Sequence, residues 1–213
     1  MKRRFLLTVS AIMLLMTACG SSTNAVTEAP SGKTSETTSA SSSGDAIEII
    51  YGHGFNPDTP QARSAEEFKT RVEEESQGRI KVNLFPSGQL GSAKDMFESL
   101  QMGTQEIALL PTARISGFSP TLQIFDLPFL FPDKETAYKI FDGEVGEQLL
   151  GTLDSVGVKG LAIYEDGFKH FTCNKKLETL EDFKGKKFRT MESPIIMEQF
   201  KTLGANPVPV DFS

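Results

Sequence analysis

The stretch RIKVNLF, residues 79–85, decides the fold class, because its side chains alternate strictly between polar and apolar. Such alternation is typical of a half-buried β-strand. A second β-rich run, IEIIYG at residues 47–52, precedes it. Between the two runs, Thr59 and Pro60 open a segment with the apolar spacing of an amphipathic helix, and Gly78 ends it. The three segments therefore predict a β-α-β unit with parallel strands.

The same alternation of helices and strands continues along the chain. Helices are predicted at residues 93–102, 134–141, 144–153 and 194–203, and strands at residues 107–110, 158–164 and 187–190. This pattern predicts an α/β protein with mainly parallel sheets flanked by helices. We expect a first α/β lobe over residues 45–164. Residues 165–213 are too few for a second complete lobe and predict the start of an incomplete one.

The N-terminal segment predicts export from the cytoplasm. Three basic residues follow the initiator Met, residues 5–16 are almost wholly apolar, and Thr17 and Ala18 precede Cys19. The apolar run is short for a transmembrane helix and fits a secretory signal. Because a Cys stands at the cleavage point, the segment resembles a bacterial lipoprotein signal, in which residues 1–18 are removed and Cys19 carries lipid. An ordinary signal peptide with a chance Cys is the alternative.

Residues 19–44 join this predicted anchor to the folded body. They consist mainly of small and polar residues, and they contain no aromatic side chain. Such a composition buries too little apolar surface to offset the entropy of ordering. We therefore predict the lipid-anchor Cys followed by a disordered, Ser/Thr-rich stalk. The protein is expected outside the cytoplasm, held at the bacterial cell membrane by the lipidated N-terminal Cys, or periplasmic.

The composition excludes several classes of function. The 213-residue chain has a formal net charge of -6, and no Lys/Arg-rich stripe suggests a nucleic-acid partner. Two Cys and two His residues do not make a convincing zinc site. The chain has neither a Gly-rich phosphate loop nor a Gly-x-Ser-x-Gly elbow. We therefore predict no catalytic residue, no metal and no cofactor, and we expect Cys173 to be a small strand or loop residue without a disulfide partner.

Six further segments are informative together. They are GRIKV at 78–82, FPSGQLG at 85–91, DLPFLF at 126–131, GFKHFT at 167–172, LEDFKGKKFR at 180–189 and LGANPVP at 203–209. In order and spacing they resemble the solute-binding proteins of tripartite ATP-independent periplasmic (TRAP) transporters, of the dicarboxylate type. The resemblance implies a two-lobed, periplasmic-binding-protein-like fold that closes on a small organic acid. It also implies a partnership with membrane permease subunits driven by an ion gradient, with no reaction catalysed.

Arg189 is the leading candidate for a ligand contact. The resemblance implies that the Arg at this position binds the ligand carboxylate, and its planar guanidinium offers a bidentate fork with a permanent charge. A solvated basic strand end is the alternative. Lys169 stands where many relatives place a second Arg; it keeps the charge without the fork, and an exposed Lys is the alternative. Its neighbour Phe168 is a candidate apolar wall of the site or a core aromatic.

Four weaker candidates follow predicted strands. His53 comes after the first strand, at the end where α/β folds place ligands, and could donate to a ligand oxygen. Gln89 lies in the loop before the helix at residue 93, where backbone N–H groups and Ser92 could meet an anion or Ser92 could cap the helix. Thr112 and Arg114 follow the strand at 107–110, in a turn that the resemblance places at the cleft.

The sequence thus predicts an extracytoplasmic, lipid-anchored binding component that captures a carboxylate for uptake. A ligand-sensing module remains open, because function depends on the site and its partners rather than on the fold. An exported, lipid-anchored hydrolase is a third reading. It would need a nucleophile-base pair or a metal cluster, and the sequence shows neither.

Overall fold

The computed structural model describes residues 46–211. The predicted signal peptide at residues 1–18, the lipid attachment at Cys19 and the stalk up to residue 44 lie outside the described residues. The described elements are β1 Ile47–His53, α1 Pro60–Glu75, β2 Ile80–Phe85, α2 Ala93–Met102, β3 Ile107–Leu109, α3 Lys134–Phe141, α4 Glu144–Gly151, β4 Lys187–Thr190, α5 Pro194–Thr202 and β5 Asn206–Pro209. Within residues 46–211, no helix has the length and apolar character needed to cross a membrane.

The described strands form two parallel sheets. The first has the strand order β2-β1-β3, and the second consists of β4 paired with β5. In the first sheet Tyr51 lies opposite Leu84 on one side and Ile107 on the other. In the second sheet Arg189 lies opposite Val208. The predicted α/β class, with parallel sheets flanked by helices, is therefore confirmed.

Helix α1 packs on the first sheet through small and apolar side chains. Thr59 caps its N-terminus, and the threonine hydroxyl accepts a 3.3 Å hydrogen bond from the N–H of Ala62. Ala65 is completely buried and packs in one cluster with Tyr51 and Val82. The short Ala side chain lets the helix approach the sheet closely, and the burial of Tyr51 and Val82 supplies the hydrophobic stabilisation of this layer.

A second core lies beneath the chain that follows β3. Phe97 of α2 stacks on Phe118 with ring centroids 4.4 Å apart. The buried members of this cluster are Phe97, Ile115, Leu122 and Leu153. Ile115 directly follows a 3₁₀ turn, Thr112–Arg114, so this core fixes the position of the turn.

Phenylalanines organise the second sheet and its helix. Phe188 of β4 lies 4.9 Å from Phe200 of α5, measured between ring centroids, and Phe171 and Phe183 pack around them. Ser193 begins α5, and its hydroxyl accepts a 3.4 Å hydrogen bond from the N–H of Ile196. The aromatic cluster thus fixes helix α5 against the strand that carries Arg189.

The strand predicted at residues 158–164 is wrong. The structure assigns no strand there, and the segment faces β3 across a cavity of about 370 Å³ lined by residues of both. A strand requires a partner about 4.8 Å away for ladder hydrogen bonds. The gap beside β3 therefore leaves this segment without a strand partner.

Candidate ligand-binding site

A cavity of about 210 Å³ lies where the strands of both sheets end. Gly54 follows β1, Pro111 follows β3, Met191 follows β4 and Asp211 follows β5, and all four residues line this cavity. The carboxyl ends of parallel strands are the usual ligand positions in α/β folds. We call this space the first cavity.

Arg114 is the buried cation of the first cavity. It ends the 3₁₀ turn after β3, and only 9% of its side chain is exposed. Its guanidinium forms an ion pair with the carboxylate of Asp211 through Nη1. Its second amino group, Nη2, is buried without a hydrogen-bond partner among the described residues. Because an unused buried donor is costly, this group favours an acceptor in the cavity.

Arg189 lies close enough to Arg114 for their charges to interact. Partial burial lowers the pKa of Arg189, the positive charge of Arg114 lowers it further, and the carboxylate of Asp211 opposes both effects. Two guanidinium groups therefore share the neighbourhood of one carboxylate. Arg189 itself is exposed and is not among the residues that line the first cavity, whose charged residues are Arg114, Asp166 and Asp211. The planar guanidinium of Arg114 suits a carboxylate or another small anion.

A second cavity of about 280 Å³ adjoins the first and shares Pro111, Asp166 and Met191 with it. Thr112 and Lys169 line this second cavity, so the structure brings both predicted residues to the same region as Arg114. Lys169 is exposed. A long, mobile ammonium can reach a ligand at the cavity mouth without the fixed geometry of an Arg.

Acidic side chains also line these cavities. Burial raises the pKa of Asp126, against the hydrogen bond from Ser193 and the charge of Lys169. Asp166 accepts a hydrogen bond from Gln61, and partial burial followed by the charge of Glu165 raises its pKa. With Asp211, these carboxylates give the region both signs of charge. They suit hydroxyl or amine groups of a ligand better than a second carboxylate.

Sequence reasoning missed these three acids. Asp211 comes shortly after β5, and Asp166 stands next to the GFKHFT segment. No strand that ends near either residue was both predicted from the sequence and found in the structure. Asp126 begins the DLPFLF segment, but nothing in that local pattern predicts a buried carboxylate.

His53 lies inside the first sheet rather than in an open loop. It is the last residue of β1, only 1% of it is exposed, and its Nδ1 accepts a 3.2 Å hydrogen bond from the N–H of Phe55. Burial lowers its pKa, and the Phe55 hydrogen bond and the charge of Glu66 act in the opposite direction. The neutral ring thus carries its proton on Nε2. His53 is not among the residues that line the two cavities.

Gln89 and Phe168 are not among the residues that line the two cavities. Gln89 is exposed in the turn after β2, and 73% of Phe168 is exposed, with its ring centroid 5.8 Å from the ammonium of Lys134. Ser92 lines the first cavity but also caps α2: its hydroxyl accepts from the N–H of Asp95, whose carboxylate accepts from the N–H of Ser92. The capping alternative for Ser92 is therefore confirmed.

Comparison with known proteins identifies the family. The model of the DctP family, described as bacterial extracellular solute-binding protein, family 7, matches residues 51–213. The chain belongs to this family. The family is one of solute-binding proteins, in agreement with the prediction that the chain is not an enzyme, and it places the chain outside the cytoplasm.

Three relatives illustrate the similarity. The C4-dicarboxylate-binding protein DctB of Bacillus subtilis is 36% identical over 170 residues, which are 79% of this chain and 49% of DctB. The second relative is a TRAP periplasmic solute-binding protein from Sulfurospirillum deleyianum, solved with bound succinate. It has a TM-score of 0.74 and 38% identity, and the match covers 78% of this chain and 54% of that chain.

The third relative is the sugar acid binding protein DctPAm from Advenella mimigardefordensis, solved with galactonate. It has a TM-score of 0.76 and 34% identity, over 78% of this chain and 54% of that chain. The chain thus spans about half the length of the relatives it matches.

Proposed function

We propose that the chain captures a small organic acid outside the cytoplasm, as the solute-binding component of a TRAP transporter. The acid lies in the first cavity, with its carboxylate on the guanidinium of Arg114. The observation that carries this proposal is that Arg114, which lines the cavity, has a buried Nη2 without a hydrogen-bond partner among the described residues. A ligand carboxylate supplies the missing acceptor and completes a bidentate pair.

Arg189 and Lys169 complete the cationic side of the proposed site. Arg189 interacts electrostatically with Arg114 and Asp211, and Lys169 lines the adjoining cavity. The proposed contacts of Thr112 follow from its place in the same turn as Arg114. Arg189, His53, Gln89 and Phe168 do not line these cavities. Arg189 is supported by its electrostatic interaction with Arg114 and Asp211, whereas the other three have the weakest support as ligand contacts.

The size of the site indicates the class of ligand. The two adjoining cavities measure about 210 Å³ and 280 Å³. These volumes suit a compact acid such as a dicarboxylate or a sugar acid rather than a large conjugate. The relatives solved with succinate and galactonate support the same class.

Calorimetric titration of the purified chain tests the proposal. Succinate, galactonate, galacturonate and orotate are titrated into wild type and into Arg114→Lys, with Arg71→Lys as the matched control on the surface of α1. We expect at least one acid to bind wild type and Arg71→Lys equally. Arg114→Lys should bind it about tenfold or more weakly, because it keeps the charge but loses the fork. Folded protein that binds none of the acids contradicts the proposal.

We further propose that Cys19 carries lipid and that the bound acid passes to membrane permease subunits. The signal-like segment at residues 1–18 and the TRAP relatives support these steps. Metabolic labelling with radioactive palmitate in a bacterial host tests the first step. Label is expected in wild type and not in Cys19→Ala, whereas a lone Cys173→Ala change should leave the label intact. Equal labelling of Cys19→Ala contradicts lipid attachment at this residue.

A further inference from the structure

The ion pair between Arg114 and Asp211 is unequal in burial. Only 9% of the Arg114 side chain is exposed, but 60% of the Asp211 side chain is exposed. Arg114 lies in a turn fixed by the core around Ile115. Asp211 follows the last residues of β5, after a backbone hydrogen bond from Val210 to Thr190. The guanidinium is therefore held in place, whereas the carboxylate has water within reach.

This inequality decides which partner can leave. Removing Arg114 from its contact would leave a buried charge without a counter-ion, which is expensive. The carboxylate of Asp211 regains its hydration when it moves into water, and an incoming carboxylate replaces it as the counter-ion, so that the buried charge of Arg114 is not left unpaired. An acid that pairs end-on with both amino groups of Arg114 needs Nη1 as well as Nη2, and Nη1 already binds the carboxylate of Asp211. The exchange of one carboxylate for another is thus the cheapest way to open the site.

We propose that Asp211 is an internal competitor: its carboxylate occupies Arg114 in the empty site, and a bound acid displaces it. This inference rests on the proposed function. Asp211 lowers the affinity for every acid by having to leave the contact. It remains tethered near the cavity after displacement, together with Asp166, so it repels a second ligand carboxylate. Asp211 therefore favours hydroxylated monocarboxylates over dicarboxylates.

Titration of Asp211→Asn with two acids of different charge tests this role. Succinate serves as the dianion and galactonate as the monoanion, and Glu198→Gln on the exposed face of α5 is a control with the same change in net charge. We expect Asp211→Asn to bind galactonate several-fold and succinate about tenfold or more tightly than wild type. Glu198→Gln should stay within about twofold of wild type, because its charge is exposed and screened.

The outcomes separate the two proposals. If wild type binds an acid and Asp211→Asn binds it equally or more weakly, Asp211 positions Arg114 instead of competing, and the inference falls while the proposed function stands. If wild type and both variants bind no acid, the result contradicts both the proposed function and the inference that rests on it. Asp211→Ala provides a second variant, because its side chain has no amide oxygen that could accept a hydrogen bond from Arg114 in place of the carboxylate. Circular dichroism of each variant confirms that weak binding does not reflect unfolding.

Discussion

The hydroxyl of Ser193 donates a 2.6 Å hydrogen bond to the buried carboxylate of Asp126. The two residues are far apart in the chain, and Gln199 of α5 also donates to the carbonyl oxygen of Asp126. Asp126 ends a 3₁₀ turn, Pro120–Asp126, whose Leu122 belongs to the core cluster of Phe97, Ile115 and Leu153. This contact therefore joins that core to the helix that follows the strand of Arg189.

Replacing Ser193 tests how much this link contributes. Ser193→Ala removes the partner of a buried carboxylate and the cap of α5, so we expect the free energy of unfolding to fall by about 1–3 kcal/mol. Urea denaturation measures the loss. Ser155→Ala, at an exposed hydroxyl that bonds only a local carbonyl, should change stability by less than about 0.5 kcal/mol. Equal losses in the two variants would show that the Ser193–Asp126 hydrogen bond makes no particular contribution to the free energy of unfolding.

The raised pKa of Asp126 predicts a pH dependence of stability. Because burial raises the pKa, the folded protein takes up this proton at higher pH than the unfolded chain does. The contribution of Asp126 is therefore fully present below its unfolded pKa and is lost as pH rises through its folded pKa. Asp126→Asn, which stays neutral, should exceed wild type in stability most clearly near neutral pH and approach it in acid.

Urea denaturation of wild type and Asp126→Asn from about pH 3 to about pH 7 measures this difference. The matched control is Asp58→Asn, at a surface position outside the Asp126–Ser193 contact. A loss of stability in Asp126→Asn that is uniform across the range would mean that the ionised carboxylate is required. That result would reject the argument from burial.

Two glycines next to the first cavity offer a paired test of packing. A Cβ at Gly52 would lie 2.9 Å from side-chain atoms of Gln105, Leu90 and Met96, whereas a Cβ at Gly54 would meet nothing within 4 Å. We expect Gly52→Ala to lower the free energy of unfolding by about 1–3 kcal/mol through overpacking. Gly54→Ala should have almost no such cost. Thermal denaturation of both variants measures this difference. Similar stabilities of Gly52→Ala and Gly54→Ala would contradict the overpacking argument.

Arg189→Lys tests the second guanidinium without changing net charge. If Arg189 shares the ligand carboxylate with Arg114, the loss of its planar fork should weaken acid binding about five- to twentyfold and leave folding intact. Isothermal calorimetry with the tightest-binding acid gives the measurement. Lys187, an exposed residue two positions earlier in β4, provides the control, since Lys187→Arg should bind like wild type. Unchanged affinity in Arg189→Lys would place the second guanidinium outside the ligand contact.

Local patterns predicted the elements well but not the distant contacts. The alternation of RIKVNLF and the Thr59 cap predicted β2 and α1 because strand periodicity and capping depend on neighbouring residues. The segment 158–164 failed because pairing depends on a partner strand. His53 was expected in a loop, but β1 continues one residue beyond Gly52 and buries it.

The site shows the same limit. The family resemblance, which places the turn after β3 at the cleft, suggested Arg114, yet its partner Asp211 stands 97 residues away. No spacing or composition rule connects two such positions. The pairing of a buried guanidinium with an exposed carboxylate emerges only when both sheets direct their strand ends to one space.

The first cavity has a consequence for how the chain responds to unfolding. Its walls come from residues that follow β1, β2, β3, β4 and β5 and from helices α1 and α2, so no single segment supplies the whole surface. Recognition thus vanishes as soon as either sheet comes apart. A bound solute should conversely slow unfolding and shield the loops from proteases, because it binds only the assembled native state. The rate of unfolding or of proteolysis therefore reports how much of the protein carries a bound solute.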